Sequence, residues 1–204
     1  MLARIAVLVS GGGTNLQALL DAQRAGKLPH GEIALVLSSK DGVYALERAR
    51  NAGVATRVLP RKEFASQEDF DGELVHILRE NRIDMVILAG FMTILGAKVI
   101  RAYPDRILNV HPALLPAFGG KGFYGLRVHE AVLTAGETVT GATVHLVNEV
   151  PDGGRILLQK QVAVCPGDTP EILQKRVMEQ AEWLLLPQAA EMLSEQIVKG
   201  TEIQ

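Results

Sequence analysis

Ile5-Ala6-Val7-Leu8-Val9-Ser10-Gly11-Gly12-Gly13-Thr14-Asn15-Leu16 carries the chain's clearest structural signal. An apolar run without a polar break reads as a strand buried on both faces. Met1 to Val9 has the look of a signal peptide's start, but Ser10-Gly11-Gly12-Gly13 cuts the run too short for one, or for a membrane span. Leu16-Gln17-Ala18-Leu19-Leu20 then begins a helix with apolar positions three and four apart. Strand, glycine loop and helix make the opening unit of a parallel α/β sheet. Glycines let backbone N–H groups approach an anion, and a helix N-terminus adds positive potential, so Gly12, Gly13, Thr14 and Asn15 read as a phosphate cradle. The loop lacks the Lys-Ser/Thr ending of a P-loop. Leu16 takes the third-glycine position of a dinucleotide fingerprint, and the second strand ends in Ser38-Ser39 instead of an acid. A tight turn capped by Thr14 or Asn15 is the other reading of the same residues.

Outward from this unit, strand and helix keep alternating. Strands are expected at 33–37, 54–59, 85–89 and 106–110, and helices at 44–51, 68–81 and 94–102. The pattern predicts a mostly parallel sheet with helices on both faces. After Pro112 the chain changes character: 112–126 is a Gly- and Pro-rich loop, followed by a helix at 128–134. Strands at 140–147 and 155–164, joined by a short turn, suit an antiparallel pair. Pro170 opens a long final helix capped by Asp168 or Thr169.

The strand at 106–110 runs into Leu108-Asn109-Val110-His111-Pro112. Asn109 and His111 are two apart, so an extended backbone sends both side chains from one face, and the proline ends the ladder there. An amide donor beside an imidazole can polarise a carbonyl and move a proton, though a capping Asn and a hydrogen-bonded His would look the same. Asp152, in Pro151-Asp152-Gly153-Gly154, reads first as a hairpin turn. Folded over the Asn109 strand, its carboxylate would orient the imidazole and raise its pKa. Thr143 and His145 share a strand face and read either as a supporting layer or as satisfied strand residues. His30, His76 and His129 read as solvated or helix-surface positions, and no His/acid spacing suggests a metal site.

With 204 residues, 48% apolar and 22% charged, the chain is expected to form one soluble domain, 1–204. A net charge of −2 with few aromatics argues against nucleic acid, and nothing calls for a membrane. The single cysteine, Cys165, excludes an intramolecular disulfide, fits a reducing cytoplasm, and reads as a small apolar strand residue.

Taken in order, these elements resemble the folate-dependent formyltransferases, in the branch that acts on glycinamide ribonucleotide. The resemblance runs over nearly the whole chain. It rests on Val7 to Ala18, Leu46-Glu47-Arg48-Ala49, Leu88 to Leu95, Leu108 to Pro116, Gly141-Ala142-Thr143-Val144-His145 and Asp152 to Leu157. It implies a Rossmann-like, mostly parallel seven-stranded sheet with antiparallel C-terminal strands and a long final helix. Residues 1–100 would form a phosphate-binding half and 101–204 a folate-binding, catalytic half. It also implies formyl transfer from 10-formyltetrahydrofolate, the co-substrate, to the amine of glycinamide ribonucleotide, in purine synthesis and without a metal. By matching position Asn109, His111 and Asp152 are the catalytic set, Gly12 to Asn15 hold the phosphate, and Glu182 receives the amine. Gln67, Phe91, Met92, Thr93, Ile94, Leu95, Asn109, Asn148, Glu149, Val150 and Asp152 line the folate. A weak homodimer is compatible with the resemblance.

The chain departs from the pattern in four places. Thr93 and Gln67 stand where relatives often carry arginine, which removes cations from the folate tail's surroundings. Gly119-Gly120-Lys121 replaces a usual Pro-Gly. Trp183 follows Glu182 in place of histidine, with one extra residue upstream. Rival readings are a formyltetrahydrofolate hydrolase, expected to carry a further N-terminal domain, and a methionyl-tRNA or sugar formyltransferase, expected to extend into more domains. A non-catalytic nucleotide-binding module would need the glycine loop alone.

Overall fold

The computed structural model describes residues 1–201. Strands β1 (Ala3–Val9), β2 (Gly31–Ser38), β3 (Ala55–Val58), β4 (Met85–Leu88), β5 (Ile107–His111), β6 (Val139–Leu146) and β7 (Ile156–Ala163) form one sheet in the order β3-β2-β1-β4-β5-β6-β7. The pairs from β3 to β5 are parallel, and β5–β6 and β6–β7 are antiparallel. Helices are α1 (Thr14–Arg24), α2 (Tyr44–Asn51), α3 (Gln67–Glu80), α4 (Ala97–Ala102), α5 (Leu126–Thr134), α6 (Pro170–Val177) and α7 (Trp183–Lys199).

Alternation along the strands divides the core into two layers. Ile5, Val7 and Val9 pack with Leu16 and Leu19 of α1, Leu46 of α2 and Leu186 and Leu193 of α7. Ala6 and Leu8 pack on the other face with Phe70, Leu74 and Leu78 of α3 and Val99 of α4. A strand with both neighbours of its pleat buried has to be apolar throughout, as β1 and β4 are. On β5 and β6 the pattern changes. Leu108, Val110, Ala142, Val144 and Leu146 enter the first layer, which leaves Asn109, His111, Thr143 and His145 on the opposite face.

Three expectations need correction. Helix α4 begins at Ala97, after Gly96, so Ile94 and Leu95 belong to the loop after β4. The final helix is interrupted: a π turn at Met178–Glu182 separates α6 from α7. A π turn takes one residue more than an α turn, so the helices on either side of it keep their packed faces. Cys165 lies beyond β7 and is exposed, so it is no buried strand residue. Thr169 caps α6 by accepting from the Ile172 N–H, while Asp168 pairs with Arg176. Among the described residues no helix is long and apolar enough to cross a membrane.

Candidate active site

The strand order reverses direction between β1 and β4: the chain runs outward through β2 and β3, then returns. In open α/β sheets the crevice at such a point, beyond the carboxyl ends of the strands, is where ligands sit. The loops after β1 and β4 and the end of β5 all meet there.

The loop after β1 enters α1 at Gly13, whose φ of 74° is the left-handed conformation glycine tolerates. A Cβ at Gly13 would also lie 2.6 Å from Ala45 Cβ, so α2 packs against the bare backbone. The Ala45 N–H donates to Gly11 O (3.2 Å), and Arg48 Nε donates to Gly12 O (2.9 Å). No side chain caps the helix, which rules out Thr14 or Asn15 as the cap and leaves the first-turn N–H groups without intrahelical partners. Asn15 turns inward instead: its Nδ2 donates to Glu182 Oε2 at 2.6 Å. Glu182 is buried, which pushes its carboxyl up to about 6 against the lowering effect of the Asn15 bond. Asn15 Oδ1 and the neighbouring Trp183 Nε1 are buried without a partner.

Asn109 and His111 sit directly across from His145 and Thr143 in the β5–β6 ladder. One face of two strands thus carries four polar side chains in a block. The β6–β7 turn brings the fifth. Asp152 adopts a φ of 54°. Gly154 is pressed so close to β6 that a Cβ would lie 1.7 Å from Leu146 O, so only glycine lets the turn fold back. Asp152 Oδ1 is 3.4 Å from Asn109 Nδ2 and 3.4 Å from His145 Nε2, and Oδ2 is 3.5 Å from His111 Nδ1. The Gly120 N–H donates to Oδ2 at 2.9 Å. Burial would raise this carboxyl; the bonds from His145 and Gly120 and the nearby imidazoles outweigh it and hold the carboxyl below its usual range. Asp152 thus lies in a hairpin turn and, at the same time, within 3.5 Å of the His111 imidazole.

Asn109 Nδ2 also meets His145 Nε2 at 3.1 Å, while His145 Nδ1 donates to Leu146 O at 2.9 Å. Thr143 Oγ1 donates to Ala113 O (2.7 Å) and accepts from the Leu115 N–H (3.1 Å), tying the loop after β5 to the sheet. Gln159 Nε2 adds bonds to Thr143 Oγ1 and Leu115 O, both at 2.9 Å. Thr143 and His145 are thus satisfied strand residues and supports of the site at once.

The expected rise in the His111 pKa is reversed. Burial lowers it and outweighs the Asp152 charge and the bond from Nε2 to Phe118 O (2.8 Å), which both raise it. Two further residues escaped the sequence reading. Phe118 acts through its backbone carbonyl, which no residue type announces. His129, expected on a helix surface, is fully buried in α5 with both ring nitrogens unpartnered. Burial, followed by the charge of His111, drops its pKa to about 4. Of the other histidines, His76 is exposed as expected, but His30 is half-buried against Glu191.

Around the crevice, the loop after β4 is pinned by the Met92 N–H, which donates to Ser10 Oγ at 2.8 Å. Phe91 and Thr93 are half-buried and Leu95 buried, whereas Met92 and Ile94 are 51% and 74% exposed. Across from it, Asn148, Glu149 and Val150 form the exposed part of the β6–β7 turn, held by the Val150 N–H donating to Asn148 Oδ1 (2.9 Å). Gln67 does not offer its amide outward; every polar atom of it is engaged inside the protein. Among the described residues no cluster of three or more His, Cys, Asp or Glu could hold a metal ion.

A polar block at a strand end, a glycine loop at a helix start and a buried acid bonded to that helix's Asn15 match a known class. The chain belongs to the formyl transferase family, whose model matches residues 3–189. It is 42% identical over 198 residues to the chloroplastic phosphoribosylglycinamide formyltransferase of Arabidopsis thaliana, covering 95% of this chain and 66% of that protein. It is 42% identical over 201 residues to the trifunctional purine biosynthetic protein adenosine-3 of Drosophila melanogaster, covering 98% of this chain and 14% of that protein. The chain therefore spans just under two thirds of the plant relative's length and a small part of the insect one. The crystal structure of glycinamide ribonucleotide transformylase 1 from Symbiobacterium toebii superposes with a TM-score of 0.89 at 41% identity, covering 95% of this chain and 88% of that one.

Proposed function

We propose that this chain transfers the formyl group of 10-formyltetrahydrofolate to the amine of glycinamide ribonucleotide, giving the N-formyl ribonucleotide and tetrahydrofolate in purine synthesis. The observation that carries the proposal is the meeting of Asn109, His111 and Asp152 beyond the end of β5. The activities named for its relatives agree with it.

Residues 1–100 supply the phosphate end. The N–H groups of Gly12, Gly13, Thr14 and Asn15 point positive potential at the ribose phosphate. Glu182, aimed by Asn15, receives the substrate amine. Residues 101–204 supply the chemistry, and the formyl donor lies along Phe91, Met92, Thr93, Ile94 and Leu95 on one side and Asn148, Glu149 and Val150 on the other. The neutral amine attacks the formyl carbon; a C–N bond forms and the carbonyl oxygen becomes an oxyanion. Asn109 Nδ2–H donates to that oxygen. His111, with Nε2 anchored on Phe118 O, offers Nδ1 on the same side. Burial keeps the imidazole neutral at rest; as negative charge grows, the oxyanion and Asp152 favour its taking up a proton from solvent at Nδ1, which it returns when the tetrahedral intermediate collapses. One such donor is worth about 2.7–4 kcal/mol of transition-state stabilisation. Asp152 and a water it holds carry the amine's proton to the departing folate nitrogen, whose bond to the formyl carbon then breaks. Positioned proton transfer contributes roughly 10²–10⁴-fold. No covalent enzyme intermediate is required.

A reducing, cytoplasmic setting is part of the proposal, and the exposed free thiol of Cys165 fits it. The deciding experiment incubates the protein with 10-formyltetrahydrofolate, with and without glycinamide ribonucleotide. Loss of the formyl group only with the amine present supports formyl transfer. Loss without it would make the chain a hydrolase, and no loss at all would leave a binding module.

A further inference from the structure

Beside the loop that follows β4, the chain holds one guanidinium in place without giving it a counter-ion. Arg61 lies in a single 3₁₀ turn, Arg61–Glu63, after β3. Its Nε donates to Gln67 Oε1 at 3.1 Å and its Nη1 to Phe64 O at 2.9 Å. Gln67 is itself fixed, because its Nε2 donates to Asp71 Oδ1 (2.7 Å) and to Ile94 O (3.1 Å). Asp71 is buried, and its Oδ1 also accepts from the Gly96 N–H, so its charge is spent on this bracket and not on Arg61. Among the described residues Arg61 makes no ion pair. The bracket ties the guanidinium to the segment that leaves Met92 and Ile94 exposed.

Exposed apolar side chains next to a fixed, unpaired guanidinium fit a ligand with a flat apolar body that ends in a carboxylate. We propose that Arg61 determines specificity for the tail of the formyl donor, receiving the carboxylate of its glutamate while the ring before it lies over Met92 and Ile94. This rests on the formyl-folate reading above. The Gln67 amide acts as a bracket that presents the cation from position 61. Gln67 is a positioning residue that acts through Arg61. A guanidinium with Nε and Nη1 already fixed loses little freedom on binding, and its planar fork still offers Nη2 to a carboxylate.

The test is steady-state kinetics with two donors, 10-formyl-5,8-dideazafolate and the corresponding pteroate that lacks the glutamyl group. The proteins are the wild type, Arg61→Met, Arg61→Lys and Gln67→Ala, each checked for an unchanged thermal midpoint. Arg61→Met is expected to raise KM for the glutamyl donor about tenfold, the cost of one charge-assisted pair at a half-exposed site, with kcat unchanged. KM for the pteroate stays at the wild-type value. Arg61→Lys recovers part of the loss, and Gln67→Ala raises KM for the glutamyl donor only. Equal effects on both donors, or none on either, would overturn the assignment to Arg61 while leaving formyl transfer intact. If the wild type turns over neither donor, the formyl-transfer reading itself falls and this inference falls with it.

Discussion

Asp152 owes its place to three backbone facts and its charge to its neighbours. A left-handed φ of 54°, the tight approach of Gly154 to Leu146 and the Gly120 N–H on its carboxylate put an anion among three polar side chains. Alanine at 152 meets the left-handed φ at a cost of about 1–2 kcal/mol and frees the Gly120 N–H, so Asp152→Ala is expected to lose a few degrees in thermal midpoint and Asn109→Ala less. Their kcat falls by roughly 10²–10³ while KM for both substrates moves less than about threefold, because these groups act on charge that exists only in the transition state. Near-normal kcat in either purified variant would remove it from the catalytic set. Glu182 is the other residue to which the proposed reaction gives a role, and that role depends on pH. Burial raises its carboxyl to about 6, so it is protonated below that value and an anion above it. Since the anion is the form that draws the amine, KM for glycinamide ribonucleotide rises as pH falls through about 6. In Glu182→Gln, KM is high throughout and that inflection is gone; a variant that keeps the inflection would place the amine elsewhere.

The elements that hold these residues were legible to different degrees. The i, i+2 spacing of Asn109 and His111 had a physical consequence that could be read directly, because a strand sends alternate residues to opposite faces. The ladder adds what spacing along one strand cannot reveal: Asn109 faces His145 and His111 faces Thr143. Asp152 reads from its own neighbours as a turn, and only the folded-back hairpin brings its carboxylate to the imidazole. The final helix was read as continuous because its apolar periodicity persists on both sides of Met178–Glu182, and a widened turn preserves each flank's register. If that π turn merely accommodates one added residue, removing the exposed Gln180 converts it to ordinary α-helix and keeps the Asn15–Glu182 bond. The deletion variant is then expected to hold its KM for glycinamide ribonucleotide within about threefold and its thermal midpoint within a few degrees. A large rise in KM at unchanged stability would mean that the π turn itself aims Glu182.

For the whole molecule, alternation of strand and helix sufficed for the sheet, since β1 and β4 are apolar on both faces and helices had to cover them. His129 was misjudged because helix position alone does not say which neighbour covers a residue; α5 packs on α6, and the imidazole is sealed inside. That burial has a consequence for stability. An exposed imidazole in the unfolded chain titrates near its ordinary value of about 6.5, whereas in the native state His129 takes up a proton only near 4. Between those values the unfolded chain binds more protons, so stability is lost as pH falls through that window, by roughly 3 kcal/mol in all. His111, also lowered by burial, adds to the loss. Glu182, raised to about 6, acts with the opposite sign between its ordinary value and 6, because there the native state binds the extra proton. Substituting His129 by leucine removes the largest of the acid-sensitive contributions without touching Glu182. Urea midpoints measured at pH 7.5 and at pH 5 are therefore expected to fall more for the wild type than for His129→Leu, whatever the variant's stability at pH 7.5. An equal fall in both proteins would mean that protonation of His129 does not oppose folding, and that the acid sensitivity lies with groups nearer the catalytic block.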